Sequence, residues 1–471
     1  MKPPNHIQQK KYTITVKDTI RRFLVNSIVI SIARKLLRRF PSLQEAAGFS
    51  LYLLKKRLYL RTCATPTAKS DNFKRMLPHG EFQFLIDVSG VKLRDVHTGI
   101  QRVTRNLLQE LLQHSPAGFA VKPVYTDAVG LLRYVRDCDN ILSEDPDHGL
   151  SQEYDVHVQP GDVYFCPDSY FPFPSAMLSV LKSQGLRIII TVYDLIPFKY
   201  GYMYPKALTV GFSDWFNGVM DIADGLVCDS KAVANEVLEW LLDHPGARDR
   251  PLPIGFFHLG ANIEYNKSTQ CSAVEGAEAL MACKLRQTLL MVGTIEPRKG
   301  YSQALAAVDV LWKQGIDLNL IIVGKEGWRT QALARQLRRH SEVNHRLFWL
   351  EGASDVCLEK LYVHASGLLA TSIAEGFGLP LIEAARHGLP IIARDIPVFR
   401  EVASDHAFYF IGETAESLSM AIQKWLILHN HKKEPQSTKI SFLTWEDSTK
   451  ELLKVIIESK WSFTYDPTSD V

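Results

Sequence analysis

The residues best placed to do chemistry lie between Thr371 and Ala385. Two carboxylates, Glu375 and Glu383, bracket the run Gly376–Phe377–Gly378–Leu379–Pro380. An apolar stretch, Gly367–Leu368–Leu369–Ala370, leads into this glycine-containing loop, and a helix-compatible run from Pro380 to Arg386 leaves it. That is the strand–loop–helix order in which an open parallel sheet offers free backbone N–H groups to a phosphate. Glu375 belongs to the loop and Glu383 to about the first turn of the helix, so both face one crevice at different depths. An acid next to a phosphate is unfavourable unless it has another task, such as accepting hydrogen bonds from sugar hydroxyls. The plainer reading is a helix cap with a solvent-facing Glu beside it.

The elements that must position these acids lie upstream. Thr288–Leu289–Leu290–Met291–Val292–Gly293 reads as a buried strand, and Thr294–Ile295–Glu296–Pro297–Arg298–Lys299–Gly300 is its turn. Leu318 to Gly324 signals a second parallel strand. Gly324, Lys325 and Gly327 follow it, with Trp328 either structural or at a pocket rim. Leu347 to Leu350, a helix carrying Val356, Leu358 and Leu361, and the strand Pro390 to Ala393 complete an alternating pattern of parallel-sheet type.

The two-glutamate pattern, preceded by the Glu-Pro-Arg-Lys turn, resembles the large retaining glycosyltransferase family 4 and its GT-B fold. The resemblance runs from about Phe82 to about Ser459 and is strongest from Leu289 to Val402. It implies an α/β protein with two Rossmann-like domains facing a central cleft, and a nucleotide-sugar donor such as GDP-mannose, UDP-glucose or UDP-N-acetylglucosamine. By the same resemblance Glu375 meets sugar hydroxyls and Glu383 the ribose, while Gly376, Phe377, Gly378 and Leu379 hold sugar and phosphate through their backbone. Lys299 matches the family's phosphate-contacting lysine. Arg298 stands in for an arginine that many members carry directly after the strand's glycine, where this chain has Thr294. With fixed cations and backbone dipoles on the diphosphate, no metal and no cofactor are expected beyond the donor itself.

The first half of the chain reads as the partner domain. Phe82 to Val88 is its first strand, and a helix from Gly99 to about Gln113 carries Val103, Leu107, Leu108 and Leu111 at amphipathic spacing. Gly99 at the helix entrance allows close approach by a ligand; in the resembled family this loop faces donor phosphates or acceptor. Arg102 either meets a substrate charge or is a surface arginine. Leu186 to Val192 is a buried strand, followed by Tyr193–Asp194–Leu195–Ile196–Pro197. This resembles the family's His-Asp-Leu-Ile-Pro segment with Tyr193 in place of the histidine that touches the donor sugar. A phenol can donate one hydrogen bond but carries no positive charge. Asp194 orients acceptor groups or caps its loop. Ser230 is a good N-cap ahead of Lys231, which either contacts phosphate or faces solvent. The family commonly has Asp where this chain has Asn262.

Composition sets bounds on all this. The 471 residues suit two or three domains, and 46% apolar with 22% charged residues describes a globular protein with real cores. The formal charge of +3 is unevenly spread: residues 1–61 hold fourteen Lys or Arg against Asp18 and Glu45, leaving the rest net acidic. Nucleic-acid binding is therefore not expected. Seven scattered cysteines without a CxxC fit buried thiols in a reducing compartment. Phe23 to Ala33 is apolar but too short to span a bilayer, where about 20 residues are needed. The extension reads as two basic helices, either lying on an anionic membrane surface or packed on the body.

The expected layout is a basic extension and linker at 1–78, an acceptor-side Rossmann-like domain at 79–262, and a nucleotide-sugar domain at 263–440. A terminal helix then packs back toward the first domain, with a tail, at 441–471. Residues 263–284 read as an exposed insertion and 460–471 as frayed. The expected function is retaining transfer of a sugar to a lipid-linked or surface glycan, with mannose from GDP-mannose as the narrow choice. That choice rests on the Glu-Pro-Arg-Lys turn and the Asp-Leu-Ile-Pro loop being closest to bacterial mannosyltransferases of surface-polysaccharide assembly. The expected location is cytoplasmic or peripheral at the cytoplasmic face of the inner membrane. The alternatives are a GT-B nucleotide-sugar epimerase or hydrolase, and a non-catalytic membrane-associated scaffold.

Overall fold

The computed structural model describes residues 81–93, 98–127, 130–135, 141, 155–169, 173–261 and 276–468. All of these fall within one compact unit, Lys55–Val471. The basic extension and Asn262 lie outside the described residues, so the expectations placed on them are not addressed by the fold.

Two sheets carry the architecture. The first is built from β1 (Phe82–Asp87), β2 (Phe119–Thr126), β3 (Leu132–Tyr134), β4 (Val163–Cys166), β5 (Arg187–Val192), β6 (Gly225–Cys228) and β7 (Leu252–Phe256). The second comprises β8 (Gln287–Val292), β9 (Leu318–Val323), β10 (Leu347–Leu350), β11 (Gly367–Ala370), β12 (Ile391–Arg394) and β13 (Phe408–Phe410). A last strand, β14 (Phe463–Tyr465), returns to the first sheet and pairs antiparallel with β7. The orders are β14-β7-β6-β5-β4-β1-β2-β3 and β10-β9-β8-β11-β12-β13.

Near-continuous apolar runs explain why these segments sit inside. β4, β6 and β9 are buried along their whole length, as expected for parallel strands covered on both faces. The helices supply the covering layers. In Gly99–Gln113 the buried face is Val103, Leu107, Leu108 and Leu111, and Thr98 caps its N-terminus in a reciprocal box with Gln101. The expected two-domain α/β architecture is present.

Two expectations at the margins fail. Part of the supposed exposed insertion is a helix, Ala277–Leu285, which buries Ala279 and Ala282. The supposed frayed tail contains β14, whose Tyr465 is only 3% exposed. In both places short, weakly patterned segments gain order from a neighbouring sheet rather than from their own periodicity. Among the described residues no helix is long and apolar enough to cross a membrane.

Candidate active site

Each sheet reverses its winding once, and the reversals locate the crevices where open α/β sheets bind ligands. In the second sheet the reversal falls between β8 and β11, which are direct neighbours. The loops leaving their carboxyl ends are 293–300 and 371–378. They are stitched together: Ile373 N–H donates to the Arg298 carbonyl at 2.9 Å, and the Thr371 hydroxyl donates to the Lys299 carbonyl at 2.7 Å. Two segments far apart in sequence thus become one wall.

That wall gathers Glu375, Arg298 and Lys299. The Arg298 guanidinium lies 2.8 Å from Glu375 Oε2, the Lys299 ammonium pairs with Oε1, and the Ser372 hydroxyl donates to Oε1 at 2.6 Å. Arg298 also binds Glu296 at 3.0 Å and the Ala374 carbonyl at 3.0 Å. Burial pushes the Glu375 carboxyl up, but Lys299, Arg298 and the Ser372 hydroxyl outweigh it and hold the group down to about 2. The carboxylate is therefore ionised and pre-positioned, with two cations beside it.

The loop that follows is shaped by two glycines. Gly378 has φ +97°, in the left-handed region, and a Cβ there would meet the Phe399 ring at 2.8 Å. It is the N-cap of the helix Leu379–Arg386, whose first amides point back toward the loop. Gly376 is different: a Cβ there would lie 2.1 Å from the Tyr193 carbonyl oxygen of the opposite domain. Only glycine permits that approach. Its own carbonyl accepts from the Ser230 hydroxyl at 2.7 Å, while Ser230 also caps the helix Lys231–Asp243 through Val233 N–H. The Phe377 side chain turns away into the core, 5% exposed.

Glu383, buried in the helix Leu379–Arg386, is held from both domains. Its Oε2 accepts from the Tyr362 hydroxyl at 2.6 Å, and its Oε1 meets the Arg102 guanidinium at 2.7 Å across the cleft. Of the two readings left open for Arg102, a substrate charge or a plain surface position, the structure shows neither as such, because the guanidinium is engaged by a charge. That charge is a carboxylate of the protein. Gly99, three residues earlier, has no atom within 4 Å of where a Cβ would stand, so its side faces open space.

The first domain's contributions differ from expectation. The Tyr193 hydroxyl donates to the Pro167 carbonyl at 2.6 Å inside the core, so the hydrogen bond proposed for it is already spent. What Tyr193 presents to the loop at Gly376 is its backbone carbonyl. A phenol is longer than an imidazole and reaches past the crevice to a core acceptor. Asp194 accepts from Ile196 N–H at 3.0 Å, which caps its loop, and burial raises its carboxyl although Arg298 opposes this. Lys231 is exposed, and its backbone N–H is bound by Glu401 at 2.7 Å.

Sequence reasoning missed four neighbours of the site: Ser372, Tyr362, Asp229 and Tyr204. Asp229 is 3% exposed with Oδ1 unpartnered, and burial pushes its carboxyl well above the usual range. Its place after the apolar run Gly225–Cys228 was the one signal available. Ser372, three residues before Glu375, lay inside the run already singled out but without a role, whereas Tyr362 and Tyr204 reach the site only through tertiary packing.

Residues 284–439 match the family model described as Glycosyl transferases group 1. The chain is 36% identical over 378 residues to the serotype-specific mannosyltransferase WbdA of Escherichia coli, covering 79% of this chain and 44% of that protein. It is 29% identical over 163 residues to the O-antigen chain mannosyltransferase RfbU of Salmonella typhimurium, 34% of this chain and 45% of that one. The chain thus spans less than half the length of these relatives. Among solved structures, sucrose-phosphate synthase from Thermosynechococcus elongatus superposes with a TM-score of 0.55 at 17% identity, covering 80% of this chain and 99% of that one. The catalytic domain of starch synthase IV from Arabidopsis thaliana gives 0.53 at 13% identity, covering 81% and 99%. Residues 284–439 are thus similar to group 1 glycosyltransferases, and the two-sheet fold is shared with these solved structures.

Proposed function

We propose that the protein is a retaining glycosyltransferase that moves mannose from GDP-mannose to a lipid-linked or surface glycan. The observation that carries this reading is the cluster of Arg298, Lys299 and Glu375 at the β8/β11 reversal, beside a glycine-capped helix N-terminus. Cations and helix amides suit a diphosphate, and a buried ionised carboxylate next to them suits the hydroxyls of the attached sugar. Glu383 would accept from the ribose hydroxyls once Arg102 yields its place. The relatives' names, both mannosyltransferases, support the choice of sugar.

In this reading the bond from the anomeric carbon to the β-phosphate oxygen breaks while an acceptor hydroxyl attacks from the same face. Its proton passes to the departing phosphate oxygen, and the products are GDP and the extended glycan. Arg298 and Lys299 stabilise charge growing on the diphosphate, where fixed donors act most strongly. Glu375 orients the sugar and is no nucleophile, being engaged by both cations. The basic extension would hold the enzyme at an anionic membrane surface, close to a lipid-linked acceptor.

The test is GDP-mannose consumption with and without a mannose-terminated acceptor, against a panel of other nucleotide sugars. Acceptor-dependent release of GDP with formation of an α-linked product is expected. Equal turnover of donor without acceptor would indicate an epimerase or hydrolase and refute the proposal.

A further inference from the structure

Beyond the charged cluster, one turn of the first domain carries three tyrosines, from a buried one near the site to an exposed one. After β5 the chain makes a short helix, Ile196–Lys199, and a tight turn, Gly201–Met203, that together carry Tyr200, Tyr202 and Tyr204. Tyr204 is the inner member, 8% exposed. Burial raises its phenol first; Arg298 opposes this, while Asp194, Glu296 and Glu375 add to it. Its ring therefore sits within the field of the site's own charges. It packs on Trp328 of the second domain, with ring centroids 5.3 Å apart. Beside this contact the Arg329 guanidinium donates to the Tyr202 carbonyl, and Arg329 itself adopts φ +56°. The turn is thus fixed from both domains.

Tyr202, by contrast, is 70% exposed. Its ring lies 6.4 Å from that of Tyr200 at 64°, and the Lys199 ammonium stands 5.9 Å from the Tyr200 ring. A large aromatic ring on a turn held from both domains, yet offered to solvent, presents a flat apolar face with polar groups at its edge. That combination suits a pyranose, whose axial C–H face stacks on an aromatic ring while its hydroxyls meet phenols and an ammonium at the rim.

We propose that Tyr202 and Tyr200 form a stacking platform for the acceptor glycan, binding sugar units behind the hydroxyl that receives the transferred sugar. The platform sits on the same turn as Tyr204, two residues before the ring that feels the charges of the site. Glu383 and Tyr362, at the nucleotide end, belong to different elements. A carbohydrate occupant rests on the glycosyltransferase reading above; the location rests on the turn that carries the three tyrosines. Because the platform contacts units behind the reacting end, its contribution grows with acceptor length.

The test uses the full chain with methyl mannoside and longer manno-oligosaccharides as acceptors, GDP-mannose as donor, and calorimetric titration of GDP. For Tyr202→Ala the acceptor KM should rise about five- to tenfold for the longer oligosaccharides, with methyl mannoside, kcat and GDP affinity unchanged. Tyr202→Phe should recover most of the loss, since the ring face is kept and only the hydroxyl at its edge is removed. An unchanged KM in Tyr202→Ala overturns the proposal. A parallel loss of GDP affinity also overturns it, because the ring would then serve the nucleotide. If the wild-type chain binds GDP but transfers no mannose to any of these acceptors, the functional reading fails, and the carbohydrate assignment falls with it.

Discussion

Replacing Lys299 with alanine removes one of the two cations that, in the proposed function, the β8/β11 crevice would offer to a diphosphate. The lysine is 15% exposed and pairs with a carboxylate that is 9% exposed, so its charge acts with little screening by water. A hydrogen bond to a charged partner contributes roughly 1.5–3 kcal/mol. Lost from GDP binding, that is a weakening of about tenfold to a little over a hundredfold in Kd. The fold should survive, because Glu375 keeps Arg298 at 2.8 Å and the Ser372 hydroxyl at 2.6 Å. Calorimetric titration with GDP and, in parallel, with guanosine separates the effect from general damage. GDP affinity should fall while guanosine affinity and the thermal midpoint hold, and Lys299→Arg should recover part of the loss. Unchanged GDP affinity removes Lys299 from the phosphate site; equal losses for GDP and guanosine mean that the crevice has collapsed and the reasoning is wrong.

Glu375, held down from 4.5 to about 2, contributes stability that is present above its unfolded value and is lost as pH falls toward 2. The shift corresponds to about 3 kcal/mol, so the stability gap between wild type and Glu375→Gln in urea titrations should shrink across that window; a gap constant with pH would refute the assignment. Asp194, Asp229 and Glu296 are all raised, each chiefly by burial. An arriving diphosphate raises them further, so GDP binding should take up protons and weaken as pH rises. Binding enthalpies independent of the buffer's ionisation enthalpy would contradict this. Deleting residues 1–61 should abolish low-salt co-sedimentation with anionic liposomes while GDP affinity persists, each Lys or Arg near the surface adding roughly 1 kcal/mol. Full-length protein left in the supernatant at low salt would exclude that role.

Several features of the protein were legible in the chain itself. Short apolar runs such as Leu320–Val323, bounded by turn signals, point to strands covered on both faces, and glycine at 376 and 378 marks backbone that side chains would obstruct. The loop carrying Glu375 and the turn carrying Arg298 and Lys299 follow from the same local patterns, because strand, turn and helix signals extend over a few residues. Tertiary structure decided what these residues meet. Arg102 and Glu383 are 281 positions apart, and nothing local told a surface arginine from one reaching across a cleft. Tyr193 carried the right position but the wrong reach, since its hydroxyl passes the crevice and ends on Pro167. Tyr204 and Asp229 join the site only because the two domains are brought together, and Tyr362 only because its helix lies against the one that carries Glu383. Sequence periodicity reports which face of an element is apolar; which polar side chains share a crevice depends on distances between elements, and those are fixed only when the two cores pack.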